Sequence, residues 1–276
     1  MIGQAERLYE LNSLKRASGK KNPGCPIVAF TSGKGGTGKS FTSLNLAYAL
    51  ARVNKKVLVV DLDANLSNLN IMLNVKSDIN LYHFFRDQAL LNELIYKYEP
   101  NLDFIFGDSG KTDHPPLDEG NIEYLFEHLH GISSKYDFIF LDTAAGAGND
   151  IISVLSRCTF TVIVTTPEPT SIMDAYVILK LLSKHNDKVD KYIIINKSSS
   201  LVEGKNSFEN LNKASVHFLK QELLLLGVIE FGEEVGKSIL NQSLLIKNNS
   251  QSRIAKEIKV LAGNFTKIKH VANNNQ

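Results

Sequence analysis

Cysteine is scarce in this chain: Cys25 and Cys158 are the only two among 276 residues, and they do not form a C-x-x-C pair. A disulfide framework, a cysteine-held metal and an iron–sulfur cluster are therefore not expected, and a cytoplasmic setting is. No apolar run reaches the roughly 18 residues that a membrane-spanning helix needs. The opening Met1-Ile2-Gly3-Gln4-Ala5-Glu6-Arg7 lacks the form of a signal peptide. The sequence also has no internal repeat and no long low-complexity run. Net charge is small, +2, but unevenly spread: residues 1–24 carry +3 and residues 247–276 carry +5, leaving −6 on the body. Two basic ends on an acidic body suggest that the ends meet an anionic surface such as lipid, or simply solubilise the chain. The acidic body makes DNA an unlikely partner.

What the chain does have is a phosphate-binding pattern, Gly33-Lys34-Gly35-Gly36-Thr37-Gly38-Lys39-Ser40, which satisfies G-x-x-x-x-G-K-[ST]. Glycines let backbone N–H groups curl around phosphate oxygens, Lys39 neutralises the β- and γ-phosphates, and the Ser40 hydroxyl is a ligand for Mg²⁺. Ile27-Val28-Ala29-Phe30 reads as a buried strand before the loop, and Ser43–Leu50 as a helix after it, so the loop, continuing into Phe41, has the strand–loop–helix setting that the pattern requires.

Short apolar runs alternate with amphipathic segments along the chain. Strands are expected at Ile27–Ser32, Val57–Asp61, Leu102–Phe106, Phe138–Asp142, Thr161–Thr165 and Tyr192–Asn196. This alternation predicts an α/β P-loop NTPase fold, a mostly parallel twisted sheet with helices on both faces and its ligand beyond the carboxyl ends of the strands. Ala17–Gly24 reads as a linker, which divides the chain into an N-terminal helix and linker (1–24), an ATPase domain (25–250) and a basic amphipathic C-terminal helix (251–276). Two strand ends carry carboxylates. Asp61-Leu62-Asp63 follows Val57–Val60, with alternation setting both acids on one side: one for the metal's water shell, the other to orient the attacking water, although D-x-D also serves as capping chemistry. Phe138–Leu141 leads to Asp142, four apolar residues before a carboxylate that binds Mg²⁺ through water.

The loop G-K-G-G-T-G-K-S resembles the deviant Walker A box of the MinD/ParA family of P-loop ATPases. The resemblance implies ATP and Mg²⁺ as ligands. It also implies a role for Lys34 across a dimer interface, on the partner's ATP phosphates, so that the ATP-bound state is a homodimer enclosing two nucleotides. Asp61 to Asn70 looks like the family's switch I, which makes Asp63 the water-positioning carboxylate beside Lys34 and Lys39; Ser40, Asp61 and Asp142 are the expected metal ligands. Asp142-Thr143-Ala144-Ala145-Gly146 departs from the D-x-P-A-G of MinD and ParA and is closer to the D-T-G-A-G of the flagellar branch, the FlhG proteins. Thr165-Thr166-Pro167-Glu168-Pro169-Thr170-Ser171-Ile172-Met173-Asp174-Ala175-Tyr176 is similar to that branch over its whole length. Asn196, ending an apolar strand, resembles the adenine-reading asparagine of the family, because its amide offers a donor and an acceptor.

Both ends carry further expectations. Gln4-Ala5-Glu6-Arg7-Leu8 looks like the D-Q-A-x-x-L motif with which FlhG proteins stimulate FlhF, an SRP-type GTPase, with Gly3 in place of the aspartate. Ile254, Ile258, Leu261, Phe265 and Ile268 recur at helical spacing among lysines, a basic amphipathic helix that in MinD and FlhG proteins binds membrane. Its first half is expected to be partly core; Ile258, Leu261, Phe265 and Ile268 are the candidate lipid contacts. Gly227 to Glu233 lacks both the proline and the aspartate of the family's G-x-I-P-x-D, so no adenine contact carries over to it. The expected function is an ATP-dependent dimerising switch that regulates flagellar number and placement with FlhF, cytoplasmic, and peripheral on the inner membrane when ATP-bound. A MinD-like division-site ATPase, a ParA-like partition ATPase and a nucleotide-gated adaptor with vestigial turnover are the alternatives.

Overall fold

A computed structural model describes residues 24–63, 68–108, 113 and 115–274, with side chains as far as Ile268. The elements run β1 (Ile27–Thr31), α1 (Lys39–Ala51), β2 (Val57–Leu62), β3 (Tyr96–Glu99), β4 (Leu102–Ile105), α2 (Glu119–Ile132), β5 (Phe138–Thr143) and α3 (Asn149–Arg157). They continue as β6 (Phe160–Thr165), α4 (Pro169–His185), β7 (Asp190–Ser198), α5 (Leu201–Leu219), β8 (Leu224–Glu230), α6 (Glu233–Leu240) and α7 (Arg253–Asn274). The eight strands form one sheet in the order β3-β4-β2-β5-β1-β6-β7-β8. Every neighbouring pair is parallel except β3 with β4.

The strands are apolar almost throughout because both faces are covered. Alternate residues of each strand enter different cores. Ala29, Leu58, Val60, Ile139, Leu141, Ile163 and Ile193 pack under α2, α3 and α4. Phe30, Val57, Val59, Phe138, Phe140, Val162 and Ile194 pack under α1 and α7. Local chemistry sets the helix starts. Asp118 caps α2 by accepting from the Asn121 amide at 2.9 Å, Pro169 occupies the first turn of α4, and Ser200 caps α5 by accepting from the Glu203 amide at 3.2 Å.

The six expected strands all occur, with ends shifted by one or two residues. The two remaining strands lie at the sheet edges, where the sequence signal is weak. In β3, Tyr-Lys-Tyr-Glu is only half-buried, and it is held against β4 by a tight turn in which Asn101 takes a left-handed conformation (φ 68°). In β8, Leu224 is exposed and Gly227 interrupts the run.

The C-terminal segment overturns one expectation. Ile258, Leu261 and Phe265 are not a lipid-facing stripe: they are 0%, 1% and 0% exposed, and Ile268 packs at the margin of the same core. The Phe265 ring lies among those of Phe138, Phe140 and Phe160, with centroids 5.2, 5.2 and 5.5 Å away. The aromatic residues of β1, β5 and β6 leave apolar area that α1 alone does not cover, and α7 covers it. Gly263 sits on the exposed side of the unbroken helix, where its cost of about 1 kcal/mol relative to alanine is outweighed by this burial. The outward face of α7 carries Lys256, Lys259, Val260 and Lys267. Among the described residues, no helix is long and apolar enough to cross a membrane.

Candidate nucleotide-binding site

β1 ends at Thr31, and the chain turns through Ser32 to Gly38 into α1, above the carboxyl edge of the central strands. The Ser32 hydroxyl donates to the Lys34 carbonyl at 3.0 Å, closing the first turn of the loop. Gly33 passes against α4 so closely that a Cβ there would lie 2.4 Å from the Asp174 Cβ. Gly38 has φ 89°, and a Cβ there would meet the Asn196 amide nitrogen at 2.2 Å, so glycine is required on both counts. Helix α1 begins at once with no side-chain cap, leaving its first-turn amides to a ligand.

The charged centre of the cradle is buried. Lys39 Nζ lies 2.9 Å from Asp142 Oδ2, and Ser40 Oγ donates to the same oxygen at 2.6 Å. Ser43, one turn further along α1, donates to Asp142 Oδ1 at 3.1 Å. One carboxylate at the end of β5 thus organises the lysine and the hydroxyl expected to meet phosphate and metal. The donor set fits both groups. A hydroxyl beside one carboxylate suits Mg²⁺, which takes few protein oxygens and completes its shell with water and phosphate. Thr37, 2% exposed, has a hydroxyl with no hydrogen-bond partner in the wall of the cradle.

The remaining site residues are placed less uniformly. Asp61 stands in register beside Asp142 on the adjacent strand, but its oxygens accept from the backbone amides of Asp63 (3.1 Å) and Leu69 (3.3 Å). Its bond to Leu69 caps the first turn of the short helix Leu69–Met72. Asp63 lies past the end of β2, so strand alternation does not align it with Asp61. Residues 64–67 of the expected switch I fall outside the described residues, as do Gln4, Ala5, Glu6, Arg7 and Leu8. Asn196, 4% exposed, donates its amide to the Thr37 carbonyl at 2.7 Å. With that bond it braces the phosphate loop from below.

Lys34 reaches out of the cradle. Its Nζ lies 2.5 Å from Glu168 Oε2 and 3.1 Å from Thr170 Oγ1, both in the Thr165–Tyr176 stretch singled out by its sequence. The hydrogen bond from Lys34, and then its charge, hold the Glu168 carboxyl below the usual glutamate range. Sequence reasoning missed this partnership, along with Ser43 and Lys197. Ser43 was legible as one helical turn from Ser40. Lys197, left-handed at φ 59° and donating to the Gly36 carbonyl at 2.7 Å, depends on a bulge at the end of β7 that has no clear sequence signal. Gly146, after Asp142, donates its amide to the Ser32 carbonyl at 2.8 Å, which couples the segment after β5 to the loop.

Comparison with known proteins agrees with this geometry. The family described as an AAA domain matches residues 25–198. The flagellum site-determining protein YlxH of Helicobacter pylori is 36% identical over 266 residues, covering 95% of this chain and 90% of that protein. The chain belongs to the MinD/ParA family of P-loop ATPases. Within it, this MinD/ParA ATPase is most like the flagellar FlhG branch, to which the second relative also points: the antiactivator FleN of Pseudomonas aeruginosa is 30% identical, covering 86% of this chain and 84% of that protein. The septum site-determining protein MinD from Pyrococcus horikoshii OT3, solved with Mg-ADP, shares the fold with a TM-score of 0.73, at 24% identity and covering 90% of this chain and 98% of that one.

Proposed function

We propose that this ATPase is a dimerising switch that regulates flagellar number and placement, binding Mg-ATP in the Gly33–Ser40 loop and hydrolysing it slowly. The observation that carries this reading is Lys34. It stands at the mouth of the phosphate cradle with its side chain directed outward, held among the described residues by the exposed Glu168 and Thr170. A lysine so placed is available to a second copy of the chain and has no phosphate-binding work in its own cradle, where Lys39 already sits. The flagellar assignment draws on the YlxH and FleN relatives.

In this reading Lys39 and the loop amides bind the phosphates, and Ser40 and Asp142 hold Mg²⁺, which shields the charge that builds up between the β- and γ-phosphates. Asp63 orients the attacking water, which is positioning work rather than covalent chemistry. Lys34 of each protomer completes the other's site, so hydrolysis and dimerisation are linked. Output passes to an FlhF-type GTPase through Gln4–Leu8. The membrane is engaged peripherally: with the apolar stripe of α7 buried, attraction to anionic lipid falls to the exposed Lys256, Lys259 and Lys267.

Light scattering of the wild type, Lys34→Ala and Lys39→Ala in Mg-ATP tests this. The wild type is expected to dimerise, Lys39→Ala to stay monomeric because it does not bind, and Lys34→Ala to bind ATP yet stay monomeric. A Lys34→Ala protein that dimerises like the wild type removes the switch.

A further inference from the structure

Helix α1 carries the phosphate loop at its start and a separate recess at its end, roughly 18 Å away at about 1.5 Å per residue. The recess holds about 410 Å³ and is bounded by Tyr48, Arg52, Val53, Lys247 and Lys259 among others. Three of these are cations, and among the described residues no carboxylate lines the space. Its walls are fixed. The Asn45 side chain accepts from the Ile246 amide at 3.1 Å, which pins the turn Leu245–Asn248 to α1. Lys259 Nζ donates to the Ser250 carbonyl at 2.7 Å, and Lys247 Nζ lies 2.5 Å from Glu99 Oε1. Arg52 is exposed, and its guanidinium has no ion-pair or hydrogen-bond partner among the described residues. Tyr48 is only 8% exposed, yet its hydroxyl also has no hydrogen-bond partner among them. The end of α1 is turned inward: the Tyr48, Leu50 and Ala51 carbonyls accept from the Arg52, Lys55 and Asn54 amides at 3.0, 3.1 and 3.1 Å. Those acceptors therefore do not oppose an anion in the recess.

We propose that this recess binds a phosphate group carried on a larger molecule, through the Arg52 guanidinium, the Lys247 and Lys259 ammonium groups and the Tyr48 hydroxyl. The site goes beyond the nucleotide switch and does not depend on it, because it shares no residue with the Gly33–Ser40 loop. A phosphate ester has three free oxygens and up to two charges, so it can accept from all four donors at once. The arginine fork can pair with two of those oxygens side by side. A tyrosine hydroxyl without a protein acceptor supplies the neutral donor. The volume exceeds what a bare phosphate fills, and Val53, 56% exposed in the wall, offers an apolar contact to the carbon part of the ligand. This chemistry is common to the headgroup of an anionic lipid and to a free phosphate ester.

Two assays on the full chain separate the sources. Calorimetry with glycerol phosphate, and with glycerol as the probe lacking phosphate, would be run with Mg-ADP saturating the nucleotide site. Sedimentation would use vesicles of phosphatidylcholine alone and of phosphatidylcholine with phosphatidic acid, roughly four to one. Each is applied to the wild type, Arg52→Ala, Tyr48→Phe and Lys180→Ala, the last removing an exposed lysine of α4 on the other face of the sheet. Melting temperatures and Mg-ADP affinity check that the variants fold and keep their nucleotide site. Arg52→Ala is expected to weaken phosphate binding about ten-fold and Tyr48→Phe about three-fold, with Lys180→Ala unchanged. That pattern with glycerol phosphate alone identifies a free phosphate ester as the ligand, and the same pattern with phosphatidic acid vesicles identifies a lipid headgroup. If neither probe bound, or if Arg52→Ala and Lys180→Ala lost the same share of binding in both assays, the recess would not be a phosphate site. Any remaining attraction to vesicles would then come from overall charge.

Discussion

Asp142 carries more of the site than any other single residue, because three side chains converge on its two oxygens: Lys39, Ser40 and Ser43. Lys39 is only 8% exposed, so removing its counter-ion leaves a buried cation with the Ser40 hydroxyl, 3.1 Å away, in place of a carboxylate. Asp142→Ala is expected to destabilise the fold by about 3 kcal/mol, read as a lower midpoint in urea, and to abolish Mg-dependent ATP binding. Loss of binding with an unchanged midpoint would mean that the lysine finds another partner and that the network is functional only. This residue was legible in the sequence because four apolar residues ahead of one carboxylate leave little else for the chain to do there. Asp61 was legible as a carboxylate that could cap, but its partners were not, since the acceptors it offers to the Asp63 and Leu69 amides depend on how the chain folds back after β2. The bond that Asn196 makes to the phosphate loop was not legible, for a related reason. Its approach to Gly38 joins residues 158 positions apart, and local pattern carries no information about such a contact.

Among the elements, α7 tests how far periodicity can be trusted. The apolar spacing of Ile254, Ile258, Leu261 and Phe265 predicts an amphipathic helix, and one is present. The same spacing is required of a helix on lipid and of a helix on a sheet, so the partner could not be read from it. The aromatic residues of β1, β5 and β6 decide the matter, because they require a cover that the rest of the chain does not supply. Phe265→Ala is accordingly expected to cost about 3–5 kcal/mol, the range for deleting a buried aromatic ring, and to shift the thermal or urea transition strongly. Liposome binding by the folded fraction should be unchanged. A variant of normal stability that no longer sediments with anionic vesicles would return the residue to the membrane. The parallel strands were readable as buried runs bounded by polar ends. The edge strands β3 and β8 were not: Tyr-Lys-Tyr-Glu in β3 is only half-buried, and Gly227 breaks the apolar run of β8.

For the whole molecule, the contact between Lys34 and Glu168 determines how readily two copies meet. Within one protomer the pair fastens the phosphate loop to the start of α4, and a lysine that completes a partner's site must leave it. Glu168 is held below its ordinary pKa by this hydrogen bond and by the lysine's charge. The contact is therefore fully present above the ordinary glutamate range, about pH 4.3, and is lost as pH falls through the lowered value. Between pH 6 and 8 the Glu168 carboxyl stays charged, so its titration contributes no pH dependence to dimerisation there. Salt acts differently, because both side chains are exposed and screening loosens them. Glu168→Gln removes the tether without removing the lysine. In Mg-ATP its dimer is expected to form at roughly two- to five-fold lower protein concentration than that of the wild type, with the gap closing as salt rises. Sedimentation velocity across a concentration series would measure both. A variant that dimerises less readily than the wild type would place Glu168 in the interface itself, pairing with the lysine of the second copy, and the intramolecular contact would then be its resting arrangement rather than a brake.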